Sequence, residues 1–180
     1  MNQLARIFTI VIISSIFSFA QMASSPNEEI TLMKDSTGAE MKMDFSKPLV
    51  GISDPGMLFS HFANKNLMIY YFSPKCVHCI NHFSKIQKIM QKYESKGLVG
   101  IAIGLGGGIK KNDIRIFMDQ QQTMIPVFQD QNSKFGPVYG TGYIPVLYLV
   151  LENGTFYRYS QLTESSIAHL TKTLDSLFSK

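Results

Sequence analysis

Three continuous apolar runs, each bounded by glycine, proline or polar turn residues, mark the buried strands of this chain. Leu67 to Phe72 stops at Ser73-Pro74, Leu98 to Ile103 lies between Gly97 and Gly104, and Val146 to Leu151 follows Ile144-Pro145. Runs of this length without alternation read as strands covered on both faces. After the first run the period becomes that of a helix. Ile80, Phe83, Ile86, Met90 and Tyr93 recur at three- and four-residue steps and share a face, while Lys85, Lys88 and Lys92 fall elsewhere. Asn112 is expected to cap a helix with Ile114, Phe117 and Met118 inward, running to about Gln122. Ile125 to Phe128 reads as a short extended segment, and Asn132 to Val138 as a brief helix or turn closed by Gly140. Glu152-Asn153-Gly154-Thr155 is a hairpin signal returning through Phe156 to Tyr159, and Thr163 caps a last helix with Ile167, Leu170, Leu174 and Leu177.

Ahead of the first run, Ile30 to Met33 and Met41 to Phe45 alternate around Asp35-Ser36-Thr37-Gly38, which predicts an N-terminal hairpin ended by Lys47-Pro48. Asp54 to Asn64 predicts a short helix capped by Ser53 or Asp54, with Met57, Leu58 and Phe62 on one face. The order strand, helix, strand, helix, hairpin, helix defines an α/β fold: a central mixed β-sheet with helices on both faces and an N-terminal hairpin extension.

The first 20 residues stand apart. Met1 to Arg6 carries one positive charge, Ile7 to Ala20 carries none, and Ser18-Phe19-Ala20 places small residues where a signal peptidase reads. This is the pattern of a secretory signal peptide, 1–20, and its apolar run of 14 residues is short beside the roughly 20 that span a membrane. Residues 21–29 are polar and expected to be a disordered tether, leaving 30–180 as one domain. Export of such a chain implies the periplasm. Loss of Arg6 leaves 16 of the 17 basic residues against 13 acidic ones, a scattered excess that does not indicate a nucleic-acid partner. Gly104 to Gly108 is glycine-rich, but its spacing is not that of a phosphate cradle and no nucleotide is expected.

The cysteine count gives the chemistry. Cys76 and Cys79 are the only two, three residues apart where the first strand runs into the long helix. A structural staple closing so short a loop removes little entropy from the unfolded chain, so the pair reads as redox-active. At a helix start the unsatisfied N–H groups and the positive dipole end favour a thiolate on Cys76, while Cys79 turns toward the core. Lys75 and His78 are candidate tuning groups that favour the same charged form and make the pair more oxidising.

Cys76-Val-His-Cys79, the Ile144-Pro145 step before a core strand, and the Asn153-Gly154 hairpin leading to a final helix together resemble the thioredoxin fold over Ile30 to Lys180. That resemblance implies Cys76 as the attacking cysteine, Cys79 as the resolving one, a cis Pro145 facing both sulfurs, and Ile144 as the residue whose backbone pairs with substrate. Within the fold, the leader, the hairpin and the stretch from Asp130 to Pro145 resemble periplasmic disulfide reductases of the TlpA/ResA type. The Phe72-Ser-Pro-Lys-Cys-Val-His-Cys79 wording is similar to periplasmic thiol isomerases of the TrbB type found with conjugative machinery. Such proteins act on cysteines of exported substrates and exchange electrons with a membrane or periplasmic redox partner, without a cofactor. Two positions depart from the pattern: Lys75 stands where many relatives have Trp, and Leu67 to Phe72 lacks the buried carboxylate many use for proton transfer. The expected reaction is thiol–disulfide exchange, at a potential between about −270 and about −120 mV, as reductase or isomerase. A different class remains open at this level: Cys76, Cys79 and His82 share a helix spacing that a Cu(I) or Zn(II) site would use. So does a folded adaptor whose cysteines are idle.

Overall fold

A computed structural model describes residues 29–179. The expected leader and all of the expected tether except Glu29 lie outside them, as does Lys180. In chain order the described elements are β1 (Ile30–Leu32), β2 (Val50–Gly51), a 3₁₀ turn (Phe59–Phe62), β3 (Leu67–Phe72), α1 (Val77–Glu94), β4 (Val99–Gly104), α2 (Lys111–Gln120), β5 (Val127–Gln129), α3 (Gly136–Tyr139), β6 (Val146–Val150), β7 (Phe156–Tyr159) and α4 (Glu164–Leu177). They build one sheet in the order β1-β7-β6-β3-β4-β5-β2. The middle strand, β3, runs parallel to β4 and antiparallel to β6, so both of its edges are paired and all of its residues are buried.

Alternation along β3 divides the core in two. Met68, Tyr70 and Phe72 pack with α1, α2 and α4, whereas Leu67, Ile69 and Tyr71 pack with the 3₁₀ turn and α3. Helical structure therefore covers both faces, with the three long helices on one. The second face is filled by aromatic rings meeting edge to face, such as Phe59 on Phe135 at 6.2 Å and Phe135 on Tyr148 at 5.6 Å. On the first face, β4 sets Gly100, Ala102 and Gly104 beside Met68, Tyr70 and Phe72. These small residues let the helices come close. A Cβ on Gly100 would lie 2.8 Å from Met90 Cβ, and one on Gly104 would lie 2.7 Å from Ile114 Cδ1. Gly100→Ala is expected to lower unfolding free energy by about 1–3 kcal/mol, measured by denaturant titration, because α1 must shift as a body.

The N-terminal part departs from its expected form. Asp35 N donates to Ala39 O at 2.8 Å and Met41 N to Met33 O at 2.8 Å, so the turn forms. Its arms then separate: Ile30 to Leu32 pairs with β7, and Lys42 bridges to Thr155. The hairpin keeps an antiparallel bridge between Lys34 and Glu40, and the other edge of its first arm pairs with the open edge of β7, so the extension becomes an edge strand. Glu29 is held as well, its carboxylate accepting from Ser165 Oγ at 2.9 Å and Ser166 N at 3.2 Å at the start of α4.

The helix expected over Asp54 to Asn64 shrinks to the 3₁₀ turn. Asp54 Oδ1 accepts from Gly56 N at 2.9 Å and Ser53 Oγ from Val127 N at 2.8 Å, so the two expected caps serve a turn and β5 instead. Phe59 and Phe62 are the buried pair, and Leu58 is exposed. Asn112 does not cap α2. Asp113 Oδ2 accepts from Lys110 N at 3.2 Å, and the helix starts at Lys111. Among the described residues no helix is long and apolar enough to cross a membrane.

Candidate active site

Beyond Phe72 the chain turns sharply. Ser73 Oγ accepts from Lys75 N and Ser73 O from Cys76 N, each at 3.2 Å, which delivers Cys76 in extended conformation to the N-cap of α1. There its sulfur accepts from Cys79 N at 3.4 Å, taking the place of the oxygen that usually caps a helix. The first turn of α1 holds no acidic residue, so nothing within the helix offsets its positive end. Cys76 is half-buried, while Val77 and His78 beside it are exposed.

Cys79, one turn on, is fully buried and packs with Phe83 and Tyr70. The two thiols are free. Burial pushes the Cys79 thiol well above its ordinary value; the Ser73 backbone N–H pulls the other way, and the adjoining Cys76 adds to the rise. Cys79 is thus protonated at neutral pH. An attack by Cys79 on a disulfide at Cys76 would require proton loss, so the rate of such a step is expected to climb about tenfold per pH unit from neutral into the alkaline range. Stopped-flow traces across pH check this, and a flat profile would contradict it.

Across from Cys76, the Ile144–Pro145 bond is cis. Ile144 O lies 3.8 Å from Cys76 Sγ, which puts the proline step beside that sulfur. A groove of about 540 Å³ opens here, with His78 and His82 of α1 on one wall, Tyr143, Ile144 and Pro145 on another, and Ser160 to Leu162 on a third. Burial holds the His82 imidazole below its usual range, with Lys85 and His78 adding to the effect.

Two expectations on these residues change. Lys75 points away from the groove: its Nζ sits 3.3 Å from Asp113 Oδ2, so its charge is partnered by α2. The metal set Cys76, Cys79 and His82 does not assemble, because Cys79 faces the core while His82 lines the groove. Among the described residues no group of three or more His, Cys, Asp or Glu side chains comes together as a metal site.

Sequence reasoning missed Tyr143, which lies 73% exposed at the groove mouth, and the Ser160 to Leu162 wall. It also missed Tyr70, whose hydroxyl donates to Cys79 O at 2.8 Å. A phenol in the middle of an apolar strand was the available signal, since a buried phenol needs a partner.

A redox-spaced cysteine pair at the start of a helix, above the middle strand of a mixed sheet and opposite a cis proline, belongs to a thioredoxin-like fold, and this chain has that fold. Solved structures carry the likeness. A secreted thiol-disulfide isomerase from Corynebacterium glutamicum superposes with a TM-score of 0.66 at 13% identity, covering 86% of this chain and 96% of its own. A thioredoxin-like protein from Porphyromonas gingivalis gives 0.63 at 22% identity, covering 74% and 90%. A secreted disulfide oxidoreductase from Mycobacterium tuberculosis, described as homologous to E. coli DsbE, gives 0.60 at 11% identity, covering 72% and 96%. No protein-family model matches the chain, and no curated protein matches it in sequence.

Proposed function

We propose that this protein is an exported, periplasmic thiol–disulfide oxidoreductase acting on cysteines of other exported proteins, as a reductase or isomerase. The single observation that carries the reading is the half-buried Cys76 sulfur at the N-terminus of α1, with a buried thiol one turn behind it and the Ile144–Pro145 groove in front. The named activities of the secreted neighbours from Corynebacterium and Mycobacterium, and the leader-like first 20 residues, point the same way.

The chemistry follows from the positions. The Cys76 thiolate attacks one sulfur of a substrate disulfide, forming a mixed disulfide and releasing the other substrate sulfur as a thiolate, which takes a proton from solvent. Cys79 then loses its proton, attacks Cys76 Sγ, closes the Cys76–Cys79 disulfide and frees the second substrate thiolate. Two electrons pass from the dithiol to the substrate. A membrane or periplasmic redox partner returns them. In the groove an extended peptide lies beside Ile144, whose backbone pairs with it strand-fashion, while Pro145 offers an apolar edge that neither donates to the sulfurs nor ligates metal. His78 stands exposed on the groove wall, within one turn of chain of both cysteines.

Cys79→Ser protein should retain substrates as mixed disulfides on Cys76, visible as reductant-sensitive adducts after expression with its leader in a periplasm-bearing host. The reading fails if no adduct forms while the same protein is folded and its Cys76 reacts with a small disulfide.

A further inference from the structure

We propose that Tyr70 is a positioning residue for the second half of the exchange: its hydroxyl braces the first turn of α1 from beneath, so that Cys79 meets the disulfide at Cys76. This rests on the redox reading of the two cysteines. Tyr70 is fully buried in the middle of β3, its ring stacked on Phe72 at 6.0 Å and edge-on to Phe83 at 5.6 Å. Its hydroxyl donates to Cys79 O at 2.8 Å. In an α-helix that carbonyl already accepts the N–H four residues further on, so the phenol is not needed to satisfy it. What the bond adds is a tie between the rigid middle strand and the turn that carries the resolving sulfur.

The surroundings leave this role to Tyr70. The one buried carboxylate among the described residues, Asp130, is bonded to Tyr71, which leaves β3 on the opposite face. Burial, and then charge on Cys79 and Cys76, disfavours ionisation of Tyr70, so its hydroxyl remains a donor through the catalytic cycle. Intramolecular attack depends steeply on the approach of the reacting atoms, and displacing a turn by a fraction of an ångström slows it without touching the sulfurs' chemistry.

The test uses the reduced protein and a symmetrical aromatic disulfide whose released thiolate is coloured. Attack by Cys76 releases one equivalent and leaves an aryl mixed disulfide; deprotonated Cys79 then attacks Cys76 Sγ and releases the second equivalent as the Cys76–Cys79 disulfide closes. Tyr70→Phe removes only the hydroxyl. The second release should slow about tenfold, the order set by losing one buried hydrogen bond, with the first release within about twofold of wild type. The pH profile of the second release should keep its slope and move down as a whole. Equal slowing of both releases, or a second release within about twofold of wild type, overturns the proposal. In the unmutated reduced protein, NMR should find the Tyr70 hydroxyl proton in slow exchange with water, and rapid exchange also overturns it. The assay needs no physiological substrate. If the protein reduces no protein disulfide yet Tyr70→Phe slows the second release selectively, the proposed function fails and the brace stands.

Discussion

Cys76→Ser protein is expected to lose insulin reduction by about a thousandfold or more, down to the uncatalysed background, while remaining folded. Serine puts an oxygen where the Cys76 sulfur accepts from Cys79 N, and serine is among the preferred capping residues, so the start of α1 keeps its acceptor. Side-chain volume changes little at a half-buried position. The loss therefore measures chemistry, since an alcohol at neutral pH is a far weaker nucleophile than a thiolate. Unchanged melting by circular dichroism alongside abolished turnover is the expected pair of results. Residual turnover near the wild-type level would remove Cys76 from the reaction and leave the idle-cysteine adaptor in its place.

Asp130→Ala should be the most damaging single change to stability, by about 3 kcal/mol or more, read from the shift in denaturant midpoint at unchanged slope. Asp130 is 1% exposed. One carboxylate oxygen accepts from Lys134 N at 2.7 Å and Phe135 N at 3.0 Å, and the other from Gly136 N at 2.9 Å. Truncation strands these donors where water reaches poorly, and it loosens Phe135, which packs against Phe59, Tyr71, Tyr139 and Tyr148. Asp130→Asn keeps one oxygen acceptor and should cost less. A loss below about 1 kcal/mol for the alanine variant would mean that the loop rearranges to satisfy itself.

The strongly patterned elements were readable because their signals are local. The β3 run, the α1 face from Phe83 to Tyr93, the Asn153-Gly154 turn and the Thr163 cap each depend on neighbours within a few residues, and each stands where the pattern put it. The cysteine pair at the strand-to-helix junction was legible for the same reason. What failed depends on distant partners. The hairpin turn formed, with Lys34 bridged to Glu40, but that Ile30 to Leu32 would also pair with β7 cannot be judged without knowing that the edge of β7 is open. Ser53 capped nothing because Val127, 74 residues on, claimed its hydroxyl. Lys75 was read as a tuning charge beside Cys76, but Asp113 of α2 pairs with it, and an exposed pair of that kind contributes little to stability. Asp54-Pro55-Gly56 was the overlooked local signal: its turn delays the following helix until Phe59.

The atom that closes off the end of α1 is also the atom proposed to attack the substrate. When Cys76 Sγ is occupied by a captured polypeptide or an alkylating label, it becomes a poorer acceptor for the Cys79 amide. Each such capture is therefore expected to loosen the helix tip slightly, and each release to re-seal it. The Cys79 amide proton is expected to report occupancy, protected while the sulfur is free to accept from it and quicker to exchange with deuterium while the sulfur is engaged.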